Sequence, residues 1–358
     1  MNELFQTSVV GSMPRPKYVQ ELINPLLNKN LNDEEYAKKI NSAIRFIINL
    51  QESAGIELIS DGEWRRLSYI GVIADLLNGF ERTLKDGLWW HTATEKISLK
   101  RKNLFADEAK FIIQNTNCKV KVALPSPFLI GARMWDETRS KKAYSSRHEF
   151  MMEIAGYLRG EILELEKTGV SVVQIDDPNL CLFVDEKYRE KFDEPELECE
   201  QAVEIINSMI KGVDGLEIAL HLCRSSGTRN RQKIAQTSNG FVGKGGYDFI
   251  LPYLQKLKVN QFAMEFANSD AGDYSVLRDL QKNVKIGFGC VDVSAGVIDT
   301  ADAIVKRVEK AMEYVDKERL ILNPDCGFAP GNQAQVSLDE AYLKLKEMAN
   351  AAHILRKI

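Results

Sequence analysis

His221 and Cys223 stand two apart where the apolar run Leu216–Leu222 (LEIALHL) gives way to Cys223-Arg224. If that run is a strand, both side chains leave it on the same face. Glu265 stands near the end of a later run, QFAMEF, and Cys326 lies in the turn Asn323-Pro324-Asp325-Cys326-Gly327 that follows the last one. Two thiolates, one imidazole and one carboxylate on a common rim suffice for a tetrahedral Zn2+. No CxxC anchors the set, so spacing leaves a second reading open, in which His-x-Cys is a core pair and Cys326 a buried thiol. An exchangeable ligand fits a catalytic ion better than a closed structural one.

These residues need elements that bring them together. Eight short, β-branched apolar runs recur: Thr7–Gly11, Ile56–Ser60, Lys119–Leu124, Val170–Ile175, Leu216–Leu222, Gln261–Phe266, Val284–Gly289 and Arg319–Asn323. Amphipathic stretches alternate with them. Asp33–Gln51 sets Tyr36, Ile40, Ile44, Ile47 and Ile48 on one helical face, and Arg147–Lys167, Glu200–Lys211, Thr300–Val315 and Leu338–Ile354 behave similarly. Continuous apolar runs alternating with helices indicate buried parallel strands. Eight strand–helix units predict an α/β fold, a (β/α)8 TIM barrel in one domain over 1–358. The alternative, an open doubly wound sheet, is disfavoured because no GxGxxG follows the first strand. Phe80–Asn103 breaks the rhythm: a Lys-Asp-Gly turn between alternating runs reads as a β-hairpin inserted after the second unit.

In such a barrel chemistry collects at the carboxyl ends of the strands. The runs here lead into Gly11-Ser12, Ser60-Asp61-Gly62-Glu63, Asp176-Asp177-Pro178, His221-Leu222-Cys223-Arg224, Glu265, Cys290-Val291-Asp292 and Asp325-Cys326. The remaining cysteines, and His148 and His353 on helices, read as incidental. His91, beside Trp89-Trp90, reads as a surface or interface residue. The segment Arg224–Lys233 (RSSGTRNRQK) could meet an anion or be a solvated loop. Lys+Arg 47 against Asp+Glu 51 leaves a net charge of −4. That balance argues against a nucleic-acid or membrane-surface binder. Without a secretory signal pattern or an apolar span, the expected compartment is the cytoplasm.

Taken together, VVGSMPRP, ISDGEWRR, VQIDDP, HLC, MEF, GFGCVD and LNPDCGF resemble, in order, the catalytic barrel of the cobalamin-independent methionine synthase family. The resemblance implies Zn2+ held by His221, Cys223, Glu265 and Cys326. It also implies that Ser12, Glu63 and Asp176 hold the amino-acid substrate, homocysteine, whose thiol is methylated to methionine. Coordination removes the thiol proton at neutral pH, and three anionic ligands keep a sulfur on the metal electron-rich.

Two departures bear on the methyl donor. The family's full-length enzyme is a double barrel whose N-terminal half helps to hold a folate polyglutamate, and nothing in this sequence replaces that half. The family's Asp-Ile-His-Ser reads here Asp292-Val293-Ser294-Ala295, so the proton-donating His is Ser294. A serine is no general acid near neutrality, which leaves Asp292 and Asp177 as the candidate acids. Both departures point to a short single-barrel branch, with a methylated corrinoid protein as the expected donor. A related zinc enzyme type, epoxyalkane:coenzyme M transferase, offers the alternative acceptor, an anionic thiol. Arg15, Arg65, Arg66 and Arg224 are the cations that a sulfonate would need, whereas Glu63 and Asp176 suit an ammonium.

Overall fold

The computed structural model describes residues 4–24, 26–28, 31–85, 88–224, 243–268, 271–329 and 336–358. Its strands are β1 Gln6–Thr7, β2 Leu58–Ile59, β3 Leu77–Lys85, β4 Leu88–Leu99, β5 Lys119–Pro125, β6 Val172–Asp176, β7 Glu217–Leu222, β8 Gln261–Glu265, β9 Lys285–Val291 and β10 Leu320–Pro324. Eight of them form one sheet in the order β1-β10-β9-β8-β7-β6-β5-β2, while β3 and β4 pair separately. Every ladder in the large sheet is parallel. A parallel bridge between Ser8 and Leu58 joins its two ends. The result is a (β/α)8 TIM barrel, and each of the eight apolar runs supplies one of its strands. Residues in β6, β8 and β10 are buried throughout, because helices cover the outside and side chains fill the inside. That is why these strands read as continuous apolar runs and not as alternating ones.

The helices are α1 Lys17–Ile23, α2 Asp33–Ala54, α3 Val72–Leu76, α4 Leu104–Ile113, α5 Pro127–Met134, α6 Arg147–Glu166, α7 Pro178–Leu182, α8 Glu186–Arg189, α9 Pro195–Met209, α10 Leu251–Leu254, α11 Val276–Asp279, α12 Ala301–Met312 and α13 Leu338–Leu355. In α2 the predicted stripe of Ile40, Ile44, Ile47 and Ile48 is buried, and Asn32 and Glu35 close a capping box. Thr300 caps α12, its side chain accepting the Ala303 N–H. The helix α9 starts at Pro195, ahead of the expected Glu200. Proline at the first position is pre-set for a helix, and Glu196 and Glu198 complement the exposed N–H groups.

The antiparallel ribbon lies earlier than the expected Phe80–Asn103. Leu77 pairs with Leu99, and Lys100 and Arg101 both donate backbone N–H groups to Leu76 O, which ends the strand. Gly79, at φ +100°, brings its backbone so close to Ile97 that a Cβ would sit 3.0 Å from Ile97 Cα, so the bulge there requires glycine. The Asp86-Gly87 turn lies outside the described residues.

Candidate metal centre

Strands β6 and β7 run in register with Asp176 opposite His221. Backbone bonds continue past the strand ends: Asp177 N–H donates to His221 O at 3.0 Å, and Asp325 N–H to Val291 O at 3.0 Å. These bonds fix the turns that carry Cys223 and Cys326. The two sulfurs lie 3.2 Å apart. One donor atom from each of His221, Cys223 and Cys326 falls within 4.8 Å of the others, and all three residues are buried. Their cysteines are free thiols.

His221 Nδ1 meets Asp176 Oδ1 at 2.9 Å. An ionised carboxylate only accepts, so Nδ1 carries a proton and Nε2 is the nitrogen that a metal ion would take. That Nε2 is buried with no nitrogen or oxygen partner and has the Cys223 sulfur as its neighbour. The neighbouring Cys326 sulfur, and then burial, hold the Cys223 thiol well above its ordinary pKa. A cation is what would draw both sulfurs to thiolates. Donor atoms of a tetrahedral zinc ion lie roughly 3.5–4 Å apart, so the three residues fit such an ion after a small separation of the sulfurs.

Glu265, the fourth expected ligand, ends β8 and is fully buried, but its carboxylate is not part of the three-donor cluster. Its Oε1 accepts the backbone N–H of Arg224 at 2.7 Å. Asp325 secures the turn beyond it, with Oδ1 accepting from Phe266 N and Ala267 N at 2.9 Å each and Oδ2 from Asn268 Nδ2 at 3.1 Å. Burial and the charge of Glu265 push Asp325 up to about 8 against those donors. The sequence places Asp325 on the rim beside Cys326 but assigns it no role.

Ser12 and Glu63 come from the turns after β1 and β2. Met13 N–H donates to Gly62 O, and Phe328 N–H to Ser12 O, so the turns after β1, β2 and β10 are tied together. A Cβ on Gly11 would stand 2.5 Å from Glu63 Oε1, and one on Gly327 2.4 Å from Ser12 Oγ. Both glycines therefore admit a functional side chain. Glu63 itself holds φ +58°, a left-handed conformation stabilised from both sides. Its N–H donates to Asp61 Oδ1 at 2.8 Å and its carbonyl accepts from Arg15 Nη2 at 2.7 Å. Burial, opposed by Arg66 and reinforced by Asp176, raises the Glu63 carboxyl to about 7.

The two expected acids differ. Asp177 is 0% exposed. Its Oδ1 accepts Leu180 N–H at 2.8 Å, capping α7, and its Oδ2 accepts the Ser126 hydroxyl at 2.7 Å. Both Asp177 oxygens are thus engaged by groups of the fold. Its burial raises its pKa to about 7, but no path to a reacting atom follows from that. Asp292, at the end of β9, is partly open, with Oδ1 accepting Ser294 N–H at 2.7 Å.

The four arginines proposed for an anion point elsewhere. Arg15 donates to Glu63 O and Arg66 O. Arg66 donates to Ala123 O at 2.6 Å and pairs with Glu108 at 3.2 Å. Arg65 reaches Asn41 Oδ1 at 2.7 Å and covers Phe111. Arg224 is 0% exposed, lies 4.1 Å over the Tyr247 ring and donates to Gly245 O. The anion contact considered for Arg224–Lys233 is therefore not made by Arg224, which is turned into the protein. The rest of that segment lies outside the described residues.

A family model described as "Cobalamin-independent synthase, Catalytic domain" matches residues 5–354. The chain belongs to this family. Its barrel is similar to a B12-independent methionine synthase from Shewanella sp. W3-18-1, solved in complex with selenomethionine, with 26% identity, 99% of this chain and 98% of that chain covered, and a TM-score of 0.81. The methionine synthase of Thermococcus kodakarensis is 28% identical over 362 residues, 99% of this chain and 94% of the relative. That of Pyrococcus horikoshii is 27% identical over 361 residues with the same coverage of each. A cobalamin-independent synthase family gives the expected corrinoid donor no support. Among the described residues, no helix of this family member is long and apolar enough to cross a membrane.

Proposed function

We propose that this synthase-family chain is a zinc-dependent methyltransferase that moves a methyl group to the thiol of homocysteine, giving methionine. The observation that carries the reading is the buried His221–Cys223–Cys326 cluster. The similarity to named methionine synthases supports it. His221, Cys223 and Cys326 hold the ion, and Glu265, one strand along, is the exchangeable fourth ligand. When bound, zinc supplies the charge that keeps a thiol deprotonated at neutral pH.

The remaining residues of the site select the acceptor. Glu63 and Asp176 take the substrate ammonium, and Ser12 completes the amino-acid pocket. Asp176 Oδ1 is engaged by His221, which leaves Oδ2 for that ammonium. With Arg15, Arg65, Arg66 and Arg224 all turned to protein partners, an acceptor bearing an ammonium suits the site better than a sulfonate thiol. Asp292 is the carboxylate assigned to the donor side.

Methyl transfer assayed with homocysteine or coenzyme M, each against methyl-tetrahydrofolate and methylcobalamin, tests the reading together with metal analysis. One zinc per chain is expected, with methylated product in homocysteine arms and activity lost on chelation and regained with zinc. Full activity of metal-free protein, or faster turnover of coenzyme M, would overturn it. The Gly11 contact gives a second check. Gly11→Ala should displace the Glu63 carboxylate and raise the homocysteine KM about tenfold, a charge-assisted hydrogen bond's weakening, while zinc content stays at the wild-type level.

A further inference from the structure

Two polar side chains occupy the barrel interior below the metal cluster. Lys121 on β5 is 1% exposed and Gln174 on β6 is 0% exposed. Burying an ammonium is costly, and here burial lowers the lysine's pKa to about 8. A methionine or leucine would fill the same space at no such cost. What the polar pair adds is a directed chain of hydrogen bonds. Lys121 Nζ donates to Val9 O at 2.9 Å and to Gln174 Oε1 at 3.0 Å. Gln174 Nε2 donates to Val10 O and to Asp176 Oδ1, both at 2.7 Å. Asp176 Oδ1 also accepts His221 Nδ1–H at 2.9 Å.

The direction follows from the chemistry of the ends. An ammonium has only protons to give, so the glutamine must turn its carbonyl oxygen to Lys121. Its NH2 group is then left to face Asp176. With the amide reversed, a carbonyl oxygen would face the carboxylate and both contacts would be repulsive. Two N–H donors thus converge on one Asp176 oxygen. The carboxylate is held from below and from the side, which fixes the plane and tautomer of His221.

We infer that Lys121 and Gln174 are positioning residues, which orient Asp176 so that one of its oxygens aims His221 Nε2 at the two cysteines and the other is presented to the substrate ammonium. The inference rests on the zinc reading above and adds to it two residues that touch neither metal nor substrate. Both changes to this pair should therefore alter metal affinity and substrate affinity together.

The test uses full-length protein, with zinc affinity measured by competition with a chromophoric chelator, homocysteine KM and kcat at saturating zinc, and circular dichroism to confirm folding. Gln174→Glu keeps the shape but replaces the donor with an acceptor. It should weaken zinc binding about 10–100-fold, the range for altering a ligand's outer partners, and raise KM with a smaller change in kcat. Lys121→Met leaves the amide free to turn over and should give a lesser loss in the same two quantities. Because Lys121 acts through Gln174, Lys121→Met combined with Gln174→Met should be no worse than Gln174→Met alone. Additive losses in that cycle, or folded variants with wild-type zinc affinity and KM, would overturn the inference while leaving the zinc reading intact. Wild-type protein that binds no zinc would overturn both. If Lys121→Met does not fold, the isosteric Gln174→Glu decides alone.

Discussion

Cys326→Ser should leave a folded barrel that neither holds zinc nor transfers methyl groups. A serine hydroxyl stays protonated near neutral pH and is a poor substitute for a thiolate ligand. Altering a ligand's outer partner costs about 10–100-fold in metal affinity, so losing a ligand outright should exceed about 100-fold. The same is expected of Cys223→Ser, whose sulfur lies 3.2 Å from that of Cys326. The fold should tolerate either change, since both side chains sit beyond the last ladder pairs of β7 and β10. Zinc content after dialysis and turnover at added zinc are the measurements. Stoichiometric zinc with full turnover in both variants would remove the two cysteines from the metal site and overturn the ligand set proposed here.

Glu63→Gln should lose function and gain stability. The amide keeps the shape but not the charge, so the substrate ammonium loses a charge-assisted hydrogen bond of about 1.5–3 kcal/mol, a fall in kcat/KM of roughly 10–150-fold. Stability moves the other way. The folded pKa of Glu63, about 7, lies above its ordinary value of 4.5, chiefly through burial. The fold therefore favours the protonated form. That contribution is complete below about 4.5 and is lost as pH rises through about 7. At pH 8 the ionised carboxylate costs up to about 3 kcal/mol, at 1.36 kcal/mol per unit, which the neutral amide avoids. The variant should melt higher than wild type at pH 8 and close to it at pH 5. In the wild type, homocysteine KM should rise as pH falls below 7 and Glu63 takes up its proton. A variant that is less stable at pH 8 would show that the Glu63 charge is held by partners within the fold and not kept for a ligand.

Much of this site is legible along the chain because a strand's geometry is local. His221 and Cys223 share a face by the two-residue repeat alone, and the strand ends and turns that hold Glu63, Asp176, Asp292 and Cys326 belong to apolar runs that only buried strands explain. The same local rules account for Asp177. An acidic residue before Pro178 is a helix-capping pattern, and the bond to Leu180 N–H is what that pattern describes. Lys121 and Gln174 were also visible as polar interruptions of KVKVAL and VSVVQI, but nothing local says what they face.

Partnership across the barrel is a different matter. Cys223 and Cys326 are 103 residues apart, and they meet because the sheet closes on itself. That closure depends on every strand's register and on no single segment. Glu265 reaches the right strand end, yet the direction of its carboxylate is set by Arg224 N–H, on the neighbouring strand's turn. The arginines were countable as cations from their letters alone. Whether a guanidinium faces the site or a carbonyl depends on which backbone groups the packed turns leave unpaired, and those exist only once the chain has folded. Residue type and short-range periodicity thus determine which groups arrive at the rim, while closure of the barrel decides which of them face one another and which are spent holding the rim in place.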